Sequence, residues 1–360
     1  MNDSIPRSGQ PDSRAAPHAG KRRSSRWGLY LPLGLLALVV AGWSAFWFLA
    51  KGMVGSGVDK VITEAAQRGD VWICANRSIS GYPFRLVVRC SDVTLTRTST
   101  AGIVSLSTGP LIAIGQPHTP SHIIVQADGP LRAELADGRK LEARWELAEA
   151  SQRLAGGQLE RLSFDVRKPV MTISGTGGTT TLSSAALEGH VRRSTARPAE
   201  DMASDLFVKV RQLASGDLDA LLGDANPSDV DVQITGNRLD LLSHGITATT
   251  LEAWRISGGK LDLTRLALKK GIKQIEARGE LQLDDQRRIS GRIEPSVANI
   301  DQFAGIRLRG GAMDLASALS GRAQPSNQDG LKPLPAIDLR GGRVSLGPVR
   351  LPLAPLQPLY

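Results

Sequence analysis

The chain has 360 residues and a formal net charge of +9, but seven basic and two acidic residues fall within residues 1–51, and the rest carries 37 basic against 33 acidic. More than half of the excess therefore belongs to the first seventh of the sequence, which excludes net charge as an argument for a nucleic-acid partner. Fifteen aromatic residues, 38 glycines and 20 prolines describe a core of aliphatic side chains crossed by frequent turns, a profile of short strands rather than long helices.

Residues 1–20 are polar, Pro-rich and without apolar periodicity, which predicts a disordered basic tail, drawn here to residue 27. Gly28–Ala50 follows without a single charge and is long enough to cross ~30 Å of hydrocarbon as a helix. Lys21, Arg22, Arg23 and Arg26 precede it, and only Lys51 separates it from Asp59. This asymmetry keeps the N-terminus in the cytoplasm and exports the rest. Trp27 and Tyr30 at one end, and Trp43, Phe46, Trp47 and Phe48 towards the other, fit interfacial belts. A cleaved signal peptide is the first alternative, although its apolar core is usually shorter and Trp43 follows the weak Val39-Val40-Ala41 site. A buried core helix is the second, and it needs no such flanks.

Ser56 and Asp59 are spaced to cap a separate short helix with Val58, Val61, Ile62, Ala65 and Ala66 on one stripe, ended by Gly69. The segment Trp72–Val93 (WICANRSISGYPFRLVVRCSDV) is the most distinctive. Gly81-Tyr82-Pro83 turns into a strand with Phe84, Leu86, Val88 and Cys90 on one face and Arg85 and Arg89 on the other. Val93 and Leu95 then carry the apolar phase, which suggests a bulge at Ser91-Asp92. Cys74 and Cys90, sixteen apart on the exported side, read as one disulfide, with two buried thiols as the alternative. The spacing is not that of a C-x-x-C redox pair.

Strand patterns repeat at 103–107, 110–114, 122–127, 131–136, 140–147, 159–167 and 170–174, continue through 179–192, and are ambiguous with helix at 206–213. Asp128-Gly129-Pro130, Ala136-Asp137-Gly138 and Gly175-Thr176-Gly177-Gly178 read as the turns between them. Residues 216–228 look like a linker with one helical turn, dividing an exported first half, 51–215, from a second, 229–360. In the second, 250–257 is a short amphipathic helix and 260–268 a strand with Leu261, Leu263 and Leu266 among its apolar positions. Residues 272–283 and 288–294 pair as a hairpin across Asp284-Asp285. Short helices are expected at 298–304 and 312–320, a loop at 321–335, and two strands around Gly341-Gly342. The proline-spaced end (LGPVRLPLAPLQPLY) reads as a tail along a sheet edge, or as a polyproline recognition segment.

A search for chemistry yields near misses. Ser257 and Lys260 match S-x-x-K without the partner motifs, and the 175–178 glycines lack the Lys-Ser/Thr of a phosphate loop. His118 and His122 stand four apart, but Pro117 and Pro120 forbid the helix that would align them on a metal. Asp284-Asp285 sits in a turn and reads as solvated. No catalytic residue, metal site or cofactor is predicted, and an enzyme is the minority reading.

The single N-terminal anchor, GYPFRLVVRCSDV (81–93), LEAWRISGGKLDLTRLALKKG (251–271), GELQLDDQRRISGRIE (279–294) and GGRVSLGPVRL (341–351) together resemble the bacterial family named domain of unknown function (DUF) 2125. The later hairpin also resembles, more loosely, the carboxy-terminal repeats of AsmA-like envelope proteins. The second resemblance implies an antiparallel sheet curled into a groove facing the periplasm, with lipid or envelope-assembly roles. The first brings no catalytic residues.

The expected fold is thus mainly β: a transmembrane helix, then large, curved antiparallel sheets with a few short helices. The expected function is binding of a lipid or other apolar ligand by an inner-membrane protein whose bulk is periplasmic. Phe84, Leu86, Val88, Leu261, Leu263 and Leu281 would line the groove, and Arg85 and Arg89 would meet headgroups of the membrane. The same apolar residues equally suit the closed core of a structural envelope protein that binds partners at sheet edges and holds no ligand.

Overall fold

The computed structural model describes residues 27–97, 102–156, 158–242, 246–299, 330–351 and 353–360. The helices expected at 298–304 and 312–320, and most of the loop at 321–335, lie outside those residues, except that Ala298 ends a strand. The basic tail also lies outside them, except that Trp27 starts a helix.

Helix α1 (Trp27–Gln67) runs for 41 residues, about 60 Å at 1.5 Å per residue. It is long and apolar enough to cross a membrane, and Leu31, Leu33, Leu35, Leu36 and Leu38 are each more than half exposed. The separate helix capped at Ser56 does not exist. The Ser56 hydroxyl donates backwards to the carbonyls of Gly52 and Met53, and α1 passes through without a break. Asp59 pairs instead with Arg77 at 2.7 Å. Gly69, at φ +89°, follows the helix end and turns the chain into the sheets.

Strands β1 (Asp70–Cys74) and β2 (Ser78–Ser80) come first. Six creased strands follow, each passing from one sheet to another through a break of two or three residues. β3 (Leu86–Cys90) continues as β4 (Val93–Arg97), and β5 (Ile103–Thr108) as β6 (Leu111–Gln116). β7 (Thr119–Ala127) continues as β8 (Leu131–Leu135), and β9 (Lys140–Arg144) as β10 (Leu147–Ala155). β11 (Gln158–Arg167) continues as β12 (Val170–Gly175), and β13 (Gly178–Ser183) as β14 (Ala186–Arg193). The first sheet is therefore β1-β4-β5-β8-β9-β12-β13, antiparallel throughout. The second begins β2-β3-β6-β7-β10-β11-β14, also antiparallel.

Proline and glycine make the crease. Pro110, Pro130 and Pro169 have no N–H for the ladder, so pairing stops where they fall. A side chain at Gly109 would lie 2.9 Å from the Asp128 carbonyl of the next corner. The corners are tied to one another: Asp128 N–H donates to Pro110 O, Glu146 to Arg167 O, Lys168 to Ala185 O and Ala185 to Arg211 O. The Trp145 indole adds a bond to Ala127 O at 2.7 Å.

β15 (Ser204–Ser215) pairs with β14 along its length and with β13 at its end, joining the two sheets. Beyond it only the second sheet grows, through β16 (Ser228–Gly236), β17 (Lys260–Lys270), β18 (Lys273–Leu283) and β19 (Ile289–Ala298). It ends with β20 (Lys332–Pro333), β21 (Ile337–Arg340), β22 (Arg343–Leu346) and β23 (Val349–Arg350). Residues 216–228 hold helix α2 (Gly216–Leu222), capped by Ser215, and the strands on either side of them are hydrogen-bonded neighbours. Leu49–Tyr360 forms one compact unit.

The mainly β, antiparallel fold matches the expectation from sequence. Three details differ. The strand after the GYPF turn starts at Leu86, leaving Phe84 outside it and 66% exposed. The stretch 140–147 is broken at Trp145-Glu146, because the corner falls there. Asp284 is not solvated. Its carboxylate receives two bonds from the Arg288 side chain at 2.8 and 2.9 Å and closes the β18–β19 turn, while Asp285 is open to water.

Candidate apolar face of the creased sheet

Residues directly opposite one another in an antiparallel pair share a face. Read from strand to strand, the second sheet carries one apolar row after another. Val88, Ala113, Val125, Ala150, Phe164, Gly189, Val208, Val232, Leu266 and Ala277 are successive partners across β3 to β18. Parallel rows include Leu162, Val191, Leu206, Ile234 and Leu263, and Val166, Leu187, Val210, Val230, Leu268 and Ile275. Gln152 interrupts them. The opposite face is charged: Glu149, Asp165 and Glu188 stand side by side, Lys209 follows between Glu188 and Asp231, and Arg192 stands opposite Asp205.

The first sheet has an apolar face of its own in Leu95, Leu106, Ala133, Leu141 and Ile173. Its other face, with Thr94, Ser107, Arg132, Glu142 and Thr172, borders a hollow of about 760 Å³. A disulfide places the two apolar faces on the same side of the crease. Cys74 stands opposite Val93 in the first sheet, Cys90 opposite Leu111 in the second, and their sulfurs are bonded with Cα atoms 5.2 Å apart. The phase slip at Ser91-Asp92 keeps this possible: Cys90 and Val93 are both buried although two residues lie between them, a spacing that strict alternation would send to opposite faces.

This face is not sealed. Phe164, Val208, Val210, Val232, Leu263 and Leu281 are all only partly covered. Complete burial is found at the ends of the second sheet, where small elements close over it. At one end α2 places Leu222, 1% exposed, beside the wholly buried Lys270 and Ser228. At the other, Trp254 of α3 (Ala248–Ile256) lies on Gly259 and bonds Asn237 O at 2.8 Å, while Leu239 of a 3-10 turn (Leu239–Leu242) covers Gly236. Glycine is required beneath each, because a Cβ at Gly259 or Gly236 would lie under 3 Å from the covering side chain.

The chain's last residues fasten to this end. Leu359 N–H donates to Arg287 O, and the Tyr360 hydroxyl to the Glu252 carboxylate at 2.7 Å. Hydrogen bonds from Arg255 and then from Tyr360 hold the Glu252 carboxyl down to about 2.

Of the residues singled out in the sequence, Leu86, Val88, Leu261, Leu263 and Leu281 occupy the apolar face and Phe84 does not. Arg89 points to the opposite face and bonds Ser80 at 2.9 Å, and Arg85 is exposed before the strand begins. His122 bonds the Ser151 hydroxyl at 3.0 Å, and no group of three metal-ligating side chains occurs among the described residues. The alternation in 159–234 carries most of this face, and that signal was visible as strands but not as one surface.

A membrane-length helix followed by a creased antiparallel sheet with one partly covered apolar face defines the class. The chain belongs to the family described as an uncharacterized protein conserved in bacteria, DUF2125, whose model matches residues 47–356. No curated protein and no solved structure matches it.

Proposed function

We propose that the protein is anchored in the bacterial inner membrane by α1, with its sheets in the periplasm, and that it shelters the acyl chains of a lipid against the apolar face in maintenance of the cell envelope. The supporting observation is the continuity of that face across β3 to β18 while its side chains stay partly exposed. A closed core of this size would bury its central rows and leave the edges open. Here the ends are covered, while in the central row only the small Gly189 and Ala277 are buried and Val208, Val232 and Leu266 are not. Completing the burial of a Val, Leu or Phe contributes up to about 1.5–3 kcal/mol, so a chain lying along several rows is held by area alone. The reading is one of binding rather than turnover. Arg85 and Arg89 are the proposed contacts with headgroups of the anchoring membrane.

The test uses the full chain in bacterial membranes. Val208→p-benzoylphenylalanine, on the apolar face, should photocrosslink to lipid, and Lys209→p-benzoylphenylalanine, on the other, should not. A protein adduct at position 208 without lipid would favour a structural envelope protein instead. Alkaline phosphatase fused after Tyr360 should be active, and an inactive fusion would remove the periplasmic placement.

A further inference from the structure

Arg192 and Arg193 are neighbours at the end of β14, and alternation sends them to opposite faces. Arg192 faces outward and pairs with Asp205 at 3.3 Å. Arg193 lies on the apolar face, opposite Ser204. Its guanidinium donates to the neutral Gln158 side chain at 3.0 Å and touches the Met202 sulfur at 3.4 Å. No carboxylate pairs with Arg193 among the described residues, although Glu160 and Asp240 border the same hollow.

That hollow has a volume of about 620 Å³ and opens where the β10–β11 turn meets the 3-10 turn at 239–242. Leu154, Leu159, Leu162, Val191, Leu239 and Leu242 give it an apolar wall. The volume lies within the range of roughly 300–1,000 Å³ typical of small-molecule sites. Glu160 and Asp240 share the lining, but neither forms an ion pair with Arg193, so its guanidinium at the rim of an apolar hollow still has N–H groups to offer an amphiphile with an anionic head. The other cations on this face, Lys270 and Lys273, are occupied at the far end by α2: Lys270 by Asp219 and Asn226 O, Lys273 by Leu222 O.

We infer that this hollow is the headgroup end of the lipid site, with Arg193 binding a carboxylate or phosphate whose acyl chain extends over Leu162 and Val191 along the apolar rows. The inference rests on the lipid-binding reading above and specifies its ligand as anionic. Guanidinium suits both anions, since its parallel N–H groups match two oxygens of either.

The full chain with Leu159→p-benzoylphenylalanine is irradiated in membranes and its adducts are resolved by mass, which separates a fatty acid from a phospholipid. Anionic adducts should dominate, and Arg193→Ala should lower them about tenfold relative to neutral lipid adducts. Lys209→Ala, on the opposite face and outside the hollow, should leave the ratio unchanged, and Arg193→Lys should restore part of it. If Arg193→Ala leaves the anionic share unchanged, the assignment of Arg193 is overturned while the groove stands. If no lipid is captured at 159 or 208 in the otherwise unaltered chain, the groove reading and this inference both fail.

Discussion

The ammonium of Lys270, wholly buried at the end of β17, lies 2.5 Å from the Asp219 carboxylate of α2. The Asn226 carbonyl is its second acceptor. Lys270 belongs to the apolar face, where it stands opposite Lys273, so α2 closes the sheet there by neutralising the charge.

The two partners of this pair should respond unequally. Asp219→Ala strands a buried ammonium, and breaking such a pair costs about 3–5 kcal/mol when both partners are buried. Asp219 keeps 36% of its side chain in water, which places the expected loss near the lower end, about 3 kcal/mol. Lys270→Met leaves a carboxylate that water already reaches and should cost less than about 1 kcal/mol. Urea unfolding of the full chain in detergent compares them, and equal losses would show that α2 is held by packing rather than by charge.

Opening the Cys74–Cys90 bridge should loosen the start of the fold. It closes a loop of sixteen residues and ties the edge strand β1 to the second sheet. Cys74→Ser together with Cys90→Ser should lower stability by about 3 kcal/mol, the loop-entropy value for that length. Hydrogen exchange at 70–74 should accelerate more than at 260–283. Uniform acceleration would mean that the bridge is not local to the crease.

The tail clasp depends on the charge of Glu252. Its carboxyl is lowered from an ordinary 4.5 to about 2 by Arg255 and Tyr360. A depressed carboxyl stabilises the fold above its unfolded value and loses that contribution as the pH falls through the folded one. The clasp should therefore be intact at pH 5 and weaken between about 4.5 and 2. Exchange of the Leu359 amide, bonded to Arg287 O, reports it. Tyr360→Phe should lower the protection of that amide relative to its intrinsic exchange rate at pH 7 and reduce the further loss of protection on acidification. An acid response identical to that of the unaltered chain would dissociate the tail from Glu252.

Much of the sheet content was legible because aliphatic alternation has period two wherever one face is greasy, as in 206–210 and 261–281. The phase slip between Cys90 and Val93 was legible as well, but it read as a bulge, and it is the corner where the strand changes sheet. What could not be read was which breaks are hairpins and which are creases. Asp128-Gly129-Pro130 and Gly175–Gly178 share turn chemistry, yet the first carries the strand into another sheet and the second reverses it. That distinction depends on neighbouring corners bonding each other, which no local window contains. Phe84 misled for a related reason: alternation extends through it, but the Gly81–Arg85 turn bond holds it off the ladder. Arg193 went unnoticed because its partners, Gln158 and Met202, come from other segments of the chain.

Gly291 tests how closely β18 and β19 approach. It stands opposite Leu281 at φ +152°, and a Cβ there would fall 2.0 Å from the Glu280 carbonyl oxygen. Backbone cannot swing aside as a side chain does, so the strand must shift or the pairing open. Gly291→Ala should destabilise the chain by about 1–3 kcal/mol. Gly216→Ala, in open space at the start of α2, should be neutral or slightly stabilising because alanine favours the helix. Thermal unfolding of both variants decides it: equal midpoints would show that the hairpin tolerates a side chain at 291, and that its glycine answers to something other than strand approach.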